Sequence, residues 1–302
     1  MPDPLQALLS PERLTQVVDV GARLGDDDPP YTAMLAAGLC QVTGFEAQRD
    51  AFFELQAKRH DPNERYVHGA VGDGGAHTLY VSRGRGLSSL LEPDLERLGL
   101  FGVLEPLAHV LVEIPMQTHR LDDIAEIAHL DLLKIDVQGS ELVVFRGGTT
   151  KLAEAVAIQA EVSFTPLYKD QPTLGDIDGE LRGQGFLPHG FPAMKTWRIS
   201  SPLLGDVPHF EPNQVLDADL VYVRDFGRPD EMTDEQLKQL ALIAHHCYGS
   251  VDLALRCVTL LDERRALDGG AQRYVDILNG RTPTGGLEPG GNLGGASDLS
   301  EV

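Results

Sequence analysis

Cysteine is scarce in this chain: three residues in 302, Cys40, Cys247 and Cys257, widely spaced and without a Cys-x-x-Cys pair. An odd, scattered set excludes a disulfide framework and a structural zinc site, and it points to reduced thiols. No apolar run approaches the roughly 18 residues of a membrane span. Residues 1–10 lack the basic stretch and long apolar core of a secretory signal. A cytoplasmic location is the expectation that follows. Basic side chains are also few, 25 against 46 acidic ones, for a net charge of −21. Such a surface repels phosphate backbones and anionic lipid, which disfavours nucleic acid and membranes as partners.

What remains is a composition 42% apolar and 24% charged, that of a globular protein able to bury a sizeable core. Its most informative stretch runs from Leu132 to Gly148. The apolar half, Leu132-Leu133-Lys134-Ile135, reads as a strand buried on both faces. Leu142, Val143, Phe145 and Arg146 then fall at helical spacing, and Gly147-Gly148 stops the helix. Asp136 and Glu141 bracket the turn between them. A carboxylate thus sits at the carboxyl end of a strand, the edge where open α/β sheets bind ligands. Asp19 and Glu46 end two upstream strands, 16–20 and 41–45, in the same way, and Asp19 runs into Gly21.

Taken in order, the pattern predicts short helices within 1–16 and a helix over 31–37. A helix over 49–58 and one strand over 65–71 follow, with a turn at 72–75. Strands are expected over 77–82 and 110–116, a helix or lid segment over 92–100 and a short helix over 121–128. A strand over 156–164 precedes a helix over 173–182 softened by Gly175 and Gly179. Late strands fall over 185–191 and 218–224. Alternating strands and helices favour a mostly parallel sheet covered on both faces. Residues 233–267 are helical in pattern with a break at Gly249, and 279–302, rich in Gly, Pro and Ser, reads as a disordered tail.

Several of these blocks carry a resemblance. Val18-Asp19-Val20-Gly21-Ala22, Gly44-Phe45-Glu46, Leu133-Lys134-Ile135-Asp136-Val137-Gln138-Gly139-Ser140-Glu141 and Glu161-Val162-Ser163-Phe164-Thr165-Pro166-Leu167-Tyr168 resemble the FkbM-type methyltransferases. Asp217-Ala218-Asp219-Leu220-Val221-Tyr222-Val223-Arg224 is similar to that family's late strand. The resemblance implies a Rossmann-like class I methyltransferase sheet of seven strands, mostly parallel with one antiparallel, helices on both faces and a C-terminal helical segment. The domains would be residues 1–228 for methyl transfer, 229–278 for a helical cap and 279–302 for the tail. It also implies S-adenosylmethionine as cofactor and O-methylation of a hydroxyl on a sugar or secondary metabolite. Where the family usually carries Asn after its first Gly-Ala, this chain has Arg23, followed by the acidic, proline-bearing loop 26–30.

The resemblance assigns Asp19, Gly21 and Ala22 to the amino-acid end of the cofactor, and Glu46 with Ala47 to its ribose. Ala70, Val71 and Asp73 would wall the adenine, and Asp136 would face the reacting methyl. Each assignment has a plainer counterpart: a turn that needs glycine for Gly21, a helix cap for Glu46 or Asp136, a turn residue for Asp73. A hydroxyl acceptor benefits from a general base. Glu161, Asp136 and His119 are the catalytic candidates, with His189 also within the set and Tyr168 a hydrogen-bond donor to substrate. Glu161 is preferred because its strand should lie beside Asp136. Lys134, a lysine in an apolar strand, should pair with Asp136 or Glu161. Asp136 and Glu161 could share a divalent cation, but no spacing demands a metal, and His245-His246 reads as helix surface.

A protein that keeps the fold and binds cofactor without chemistry is the alternative, motivated by Arg23 and the loop after it. A nicotinamide dehydrogenase is disfavoured because the first turn lacks Gly-x-Gly-x-x-Gly. The acceptor, a small molecule or glycan hydroxyl, and the oligomeric state are not specified by sequence.

Overall fold

Val17 and Val18 point to opposite sides of one strand, and both are buried, so the first strand must be covered on two faces. The computed structural model describes residues 3–23, 28–201 and 212–280. Asp26 and Asp27 of the acidic loop and the tail from 281 lie outside the described residues. The chain begins with α1 (Pro4–Leu9), β1 (Thr15–Val20), α2 (Thr32–Ala36), β2 (Cys40–Glu46), α3 (Arg49–Lys58) and β3 (Glu64–His68). Next come β4 (Ala70–Gly72), β5 (Ala76–Ser82), α4 (Leu95–Gly99), α5 (Glu105–Ala108) and β6 (Val110–Arg120). The second half contributes β7 (Leu132–Ile135), α6 (Glu141–Arg146), α7 (Thr149–Leu152), β8 (Ala157–Ser163) and α8 (Leu174–Gly183). It closes with β9 (Phe186–Trp197), β10 (Gln214–Arg224), α9 (Asp234–Tyr248), α10 (Val251–Glu263) and α11 (Gly270–Leu278).

Seven strands form one sheet in the order β3-β2-β1-β7-β8-β10-β9. Neighbours from β3 to β8 run parallel, and β10 runs against both β8 and β9. The expected mostly parallel sheet with an antiparallel strand near its edge is therefore present. Strand order reverses between β1 and β7, whose carboxyl ends open the crevice that holds the site. Val17, Val42, Leu132 and Val223 face a core shared with α1, α2 and the three C-terminal helices. Val18, Val20, Leu133, Ile135 and Ile158 face a second core with Val144, Phe145, Ile177 and Leu181.

Local chemistry sets the helix ends. Asp3 accepts the Gln6 N–H at 2.8 Å to start α1. Thr233 and Gln236 form a reciprocal capping box at α9, which ends on Gly249 in the left-handed region. Thr173 and Asp176 cap α8 in the same manner, and the helix persists through Gly175 and Gly179. The break expected at Gly249 is observed, and α11 lies past the helical pattern read over 233–267.

Two expected elements are corrected. The single strand over 65–71 is split at Gly69, whose N–H donates to the Glu46 carbonyl at 3.0 Å. β3 stays in the main sheet, and β4 leaves it to pair with β6 in a separate three-stranded sheet. The helix over 121–128 is only a 3₁₀ turn, Leu121–Asp123. Asp122 there accepts the N–H groups of Thr150 and Lys151, capping α7 instead of continuing a helix. Leu121, Ile124 and Ile127 are buried three residues apart, a spacing that an irregular turn satisfies as well as a helix does.

Candidate functional site

The carboxyl ends of β1, β2 and β7 converge on one cavity, open on one side to solvent. Gly21, Glu46, Ala47, Ala70, Val71 and Asp136 line it, so six of the nine residues assigned to the cofactor from sequence meet in one place. Arg23 and Gln48 join them, and the loop with Arg85, Gly86, Ser88, Ser89 and Leu90 covers the opposite side. Glu46 is 6% exposed. Its Oε1 accepts the Gln48 N–H at 2.5 Å, and its Oε2 has no partner among the described residues. Burial pushes the Glu46 carboxyl up to about 7, against the Gln48 N–H and the nearby Arg23 charge, which both favour ionisation.

The other assigned residues stand elsewhere. Asp19 is buried below the rim: its Oδ2 accepts the Tyr31 hydroxyl at 2.6 Å, and its Oδ1 lies 3.2 Å from Lys134 Nζ. Lys134 thus pairs with its cross-strand register partner, Asp19, and not with Asp136 or Glu161 as expected. Burial would lower the Lys134 ammonium, but Asp19 and Asp136 beside it hold it above the ordinary range. Ala22 is buried behind the cavity, its N–H donating to the Phe45 carbonyl at 2.9 Å. Asp73 sits in the turn before β5, where it accepts from Gly75 at 2.7 Å, contacts His77 at 2.7 Å and accepts from Thr118 at 3.2 Å. His119 is exposed on β6 and lines a different cavity, with His68 and Asp123. His189 contacts the Ser250 hydroxyl at 3.0 Å, away from the rim.

A second, smaller cavity adjoins the first, with Gln138 in the wall of both. Glu161, Ser163, Tyr168, Gln171, Leu216 and Asp217 complete much of its lining. The Gln138 Nε2 donates to Asp136 Oδ1 at 2.7 Å and also to Glu161 Oε2, so one amide joins the two carboxylates. Its Oε1 accepts the Tyr168 hydroxyl at 3.2 Å. Lys195 from β9 reaches Glu161 Oε1 at 2.8 Å and Asp217 Oδ1 at 2.9 Å. The two carboxylates move apart in acidity. Burial and the neighbouring Asp136 charge raise Glu161 well above the usual carboxylate range. Asp136 is held below that range, because Lys134, Arg23 and the Gln138 amide outweigh its burial.

Sequence reasoning missed Gln138 and Lys195. Gln138 has φ +56°, a left-handed conformation uncommon for a non-glycine residue. Only the turn between Asp136 and Gly139 hinted at a special backbone there. Lys195 lies beyond the expected end of its strand, so nothing in the sequence aimed it at Glu161.

These residues fit S-adenosylmethionine. Glu46, buried with an oxygen to spare, suits the paired ribose hydroxyls, and Ala47, Ala70, Val71 and Leu79 give small or apolar walls for an adenine. An ionised carboxylate accepts two hydroxyl donors, whereas a protonated one must spend an oxygen as donor. Donor affinity is therefore expected to rise from pH 6 to pH 8 as Glu46 ionises through about 7. Calorimetric titration with S-adenosylhomocysteine checks this, and Glu46→Gln should flatten the pH dependence and weaken binding about tenfold or more. Equal affinity of wild type and variant at pH 8 would remove Glu46 from the site.

No curated protein matches the sequence. Solved structures with a similar course of chain include a magnesium protoporphyrin IX methyltransferase from Synechocystis PCC 6803 with bound S-adenosylmethionine, at 13% identity, TM-score 0.36, covering 73% of this chain and 76% of that one. Another is an S-adenosylmethionine-dependent methyltransferase from Mesorhizobium loti, at 11% identity, TM-score 0.36, covering 73% and 95%. A third is a TehB-like methyltransferase from Corynebacterium glutamicum ATCC 13032 Kitasato, at 13% identity, TM-score 0.33, covering 74% and 88%. Family membership rests instead on sequence and on the strand order above. Residues 19–188, more than half of the chain, match the methyltransferase FkbM domain, and the protein belongs to that family of S-adenosylmethionine-dependent methyltransferases.

Proposed function

We propose that the protein transfers the methyl group to a hydroxyl oxygen of a small molecule or glycan, a sugar or secondary metabolite, with Glu161 as general base. The observation that carries this reading is the Gln138 amide, which sits between the two cavities and ties Asp136 on the donor side to Glu161 on the other. When bound, the cofactor supplies an electrophilic methyl on a sulfonium, so the protein's task is to position an oxygen and remove its proton. A buried carboxylate with raised proton affinity is a stronger base than an exposed one, which suits a weakly acidic hydroxyl. Tyr168, Leu167 and Leu216 close the second cavity against water. Asp136, kept ionised at the rim, is an electrostatic partner for the positive donor.

The net charge of −21 supports a small acceptor over nucleic acid or an anionic membrane. Among the described residues no helix is long and apolar enough to cross a membrane, and the cytoplasm is the compartment we propose.

The test is incubation with methyl-labelled donor and a panel of sugars and hydroxylated metabolites, with the product's methylated atom identified by mass spectrometry and NMR. Glu161→Gln is expected to lower kcat on a responsive acceptor by about 10²-fold or more while S-adenosylhomocysteine still binds. Methyl transfer confined to nitrogen or carbon, or full activity of Glu161→Gln, would overturn the proposal. A protein that binds donor and methylates nothing in the panel would favour a binding role.

A further inference from the structure

The donor cavity holds a cation that the protein itself leaves unused. Of its lining residues, Arg85 pairs with Glu54 at 2.9 Å. Arg23, exposed at the cavity mouth, makes no hydrogen bond or ion pair among the described residues. Its charge still acts on both Glu46 and Asp136, and the guanidinium is bonded to neither. Its base is fixed, because the N–H groups of Gly21 and Ala22 both donate to the Phe45 carbonyl, at 3.0 and 2.9 Å. Its far end is seated against Gly86 of the covering loop. A Cβ built on Gly86 would lie 2.7 Å from Arg23 Nη1 and 3.3 Å from Nη2. A Cβ there would have to push the guanidinium aside, so the end of Arg23 and the covering loop are in close contact at the mouth of the cavity.

We infer that Arg23, seated on Gly86, is the residue that recognises the α-carboxylate of the donor's amino-acid end and so distinguishes the whole donor from fragments lacking that group. This rests on the cavity being the donor site. S-adenosylmethionine has a single anionic group, and a planar guanidinium with its donors free is the side chain best matched to a carboxylate. The anion is the donor's and not the acceptor's, because Arg23 lines the first cavity and is absent from the wall of the second. The arrangement also gives a reason for a positive side chain beside a cofactor that carries a sulfonium. The α-carboxylate is the one group of that cofactor that a guanidinium attracts.

The test compares two ligands that differ by this end of the molecule, S-adenosylhomocysteine and 5′-methylthioadenosine, by isothermal titration with the full chain. Arg23→Gln is expected to weaken S-adenosylhomocysteine about ten- to a hundredfold and to leave 5′-methylthioadenosine within about twofold of wild type. Gly86→Ala, which keeps the charge and displaces the guanidinium, should act in the same direction with a smaller loss. Circular dichroism and thermal melting of each variant establish that it is folded. Equal weakening of both ligands by Arg23→Gln, or no weakening of S-adenosylhomocysteine, overturns the inference while leaving the donor site standing. Failure of the wild type to bind either ligand overturns the donor site and the inference together.

Discussion

Asp19→Ala is expected to lose about 3–5 kcal/mol of folding stability, because it strands a buried lysine without its partner. Asp19 is 2% exposed on β1, inside the sheet, and Lys134 extends from the neighbouring β7 to within 3.2 Å of it. Breaking such a pair costs far more than the pair is worth, since the remaining charge must stay desolvated or give up its proton. Tyr31 also loses the acceptor for its hydroxyl, held at 2.6 Å. Urea unfolding at pH 7 gives the loss directly, as a drop in midpoint with the slope unchanged. The double variant Asp19→Ala with Lys134→Met should recover most of it, because the ammonium is then removed together with the carboxylate it pairs with. A loss below about 1 kcal/mol for the single variant would mean that water reaches Lys134 freely.

That pair also shows where sequence reading ran out. The three acidic strand ends were legible, because a short apolar run that stops at a carboxylate and a glycine has few structural meanings. Which carboxylate opens on the cavity and which is paired inside the fold was not. Asp19 and Glu46 look alike in sequence, yet one is a register partner of Lys134 and the other ends its strand with a free oxygen in the cavity. Register depends on how strands far apart in the chain align, and no local pattern encodes it. The same limit explains Asp73 and His119. Both follow from the split at Gly69, which turns β4 into a separate sheet and carries its turn away from the cavity. Gln138 was hidden for another reason. Its left-handed backbone is one that sequence alone would give to Gly139, and here both residues adopt positive φ, +56° and +103°. A long amide stands where glycine or asparagine would be less strained, and a strained backbone of that kind is a reason to ask what the side chain does.

Gly21→Ala is expected to be more damaging still, abolishing donor binding and destabilising the fold by more than about 4 kcal/mol. Gly21 has φ +81°, and a Cβ there would lie 2.0 Å from the carbonyl oxygen and 2.9 Å from the carbonyl carbon of Asp136. Both obstructing atoms are backbone, so no side chain can swing aside. The ends of β1 and β7 would have to separate, and the Asp136 N–H bond to the Val20 carbonyl, at 3.0 Å, would go with them. Gly38→Ala provides the control. Gly38 has φ +69° but nothing within 4 Å of the added Cβ, so it reports the cost of left-handed backbone alone, about 1–2 kcal/mol. The difference between the two variants in chemical unfolding therefore isolates the collision from the backbone strain. If Gly21→Ala cost no more than Gly38→Ala, the two strand ends would be free to part, and the crevice at the switch point would not be a fixed rim. A rim that rigid is what lets Gly21, Glu46 and Asp136, drawn from three strands, hold their positions before any ligand arrives.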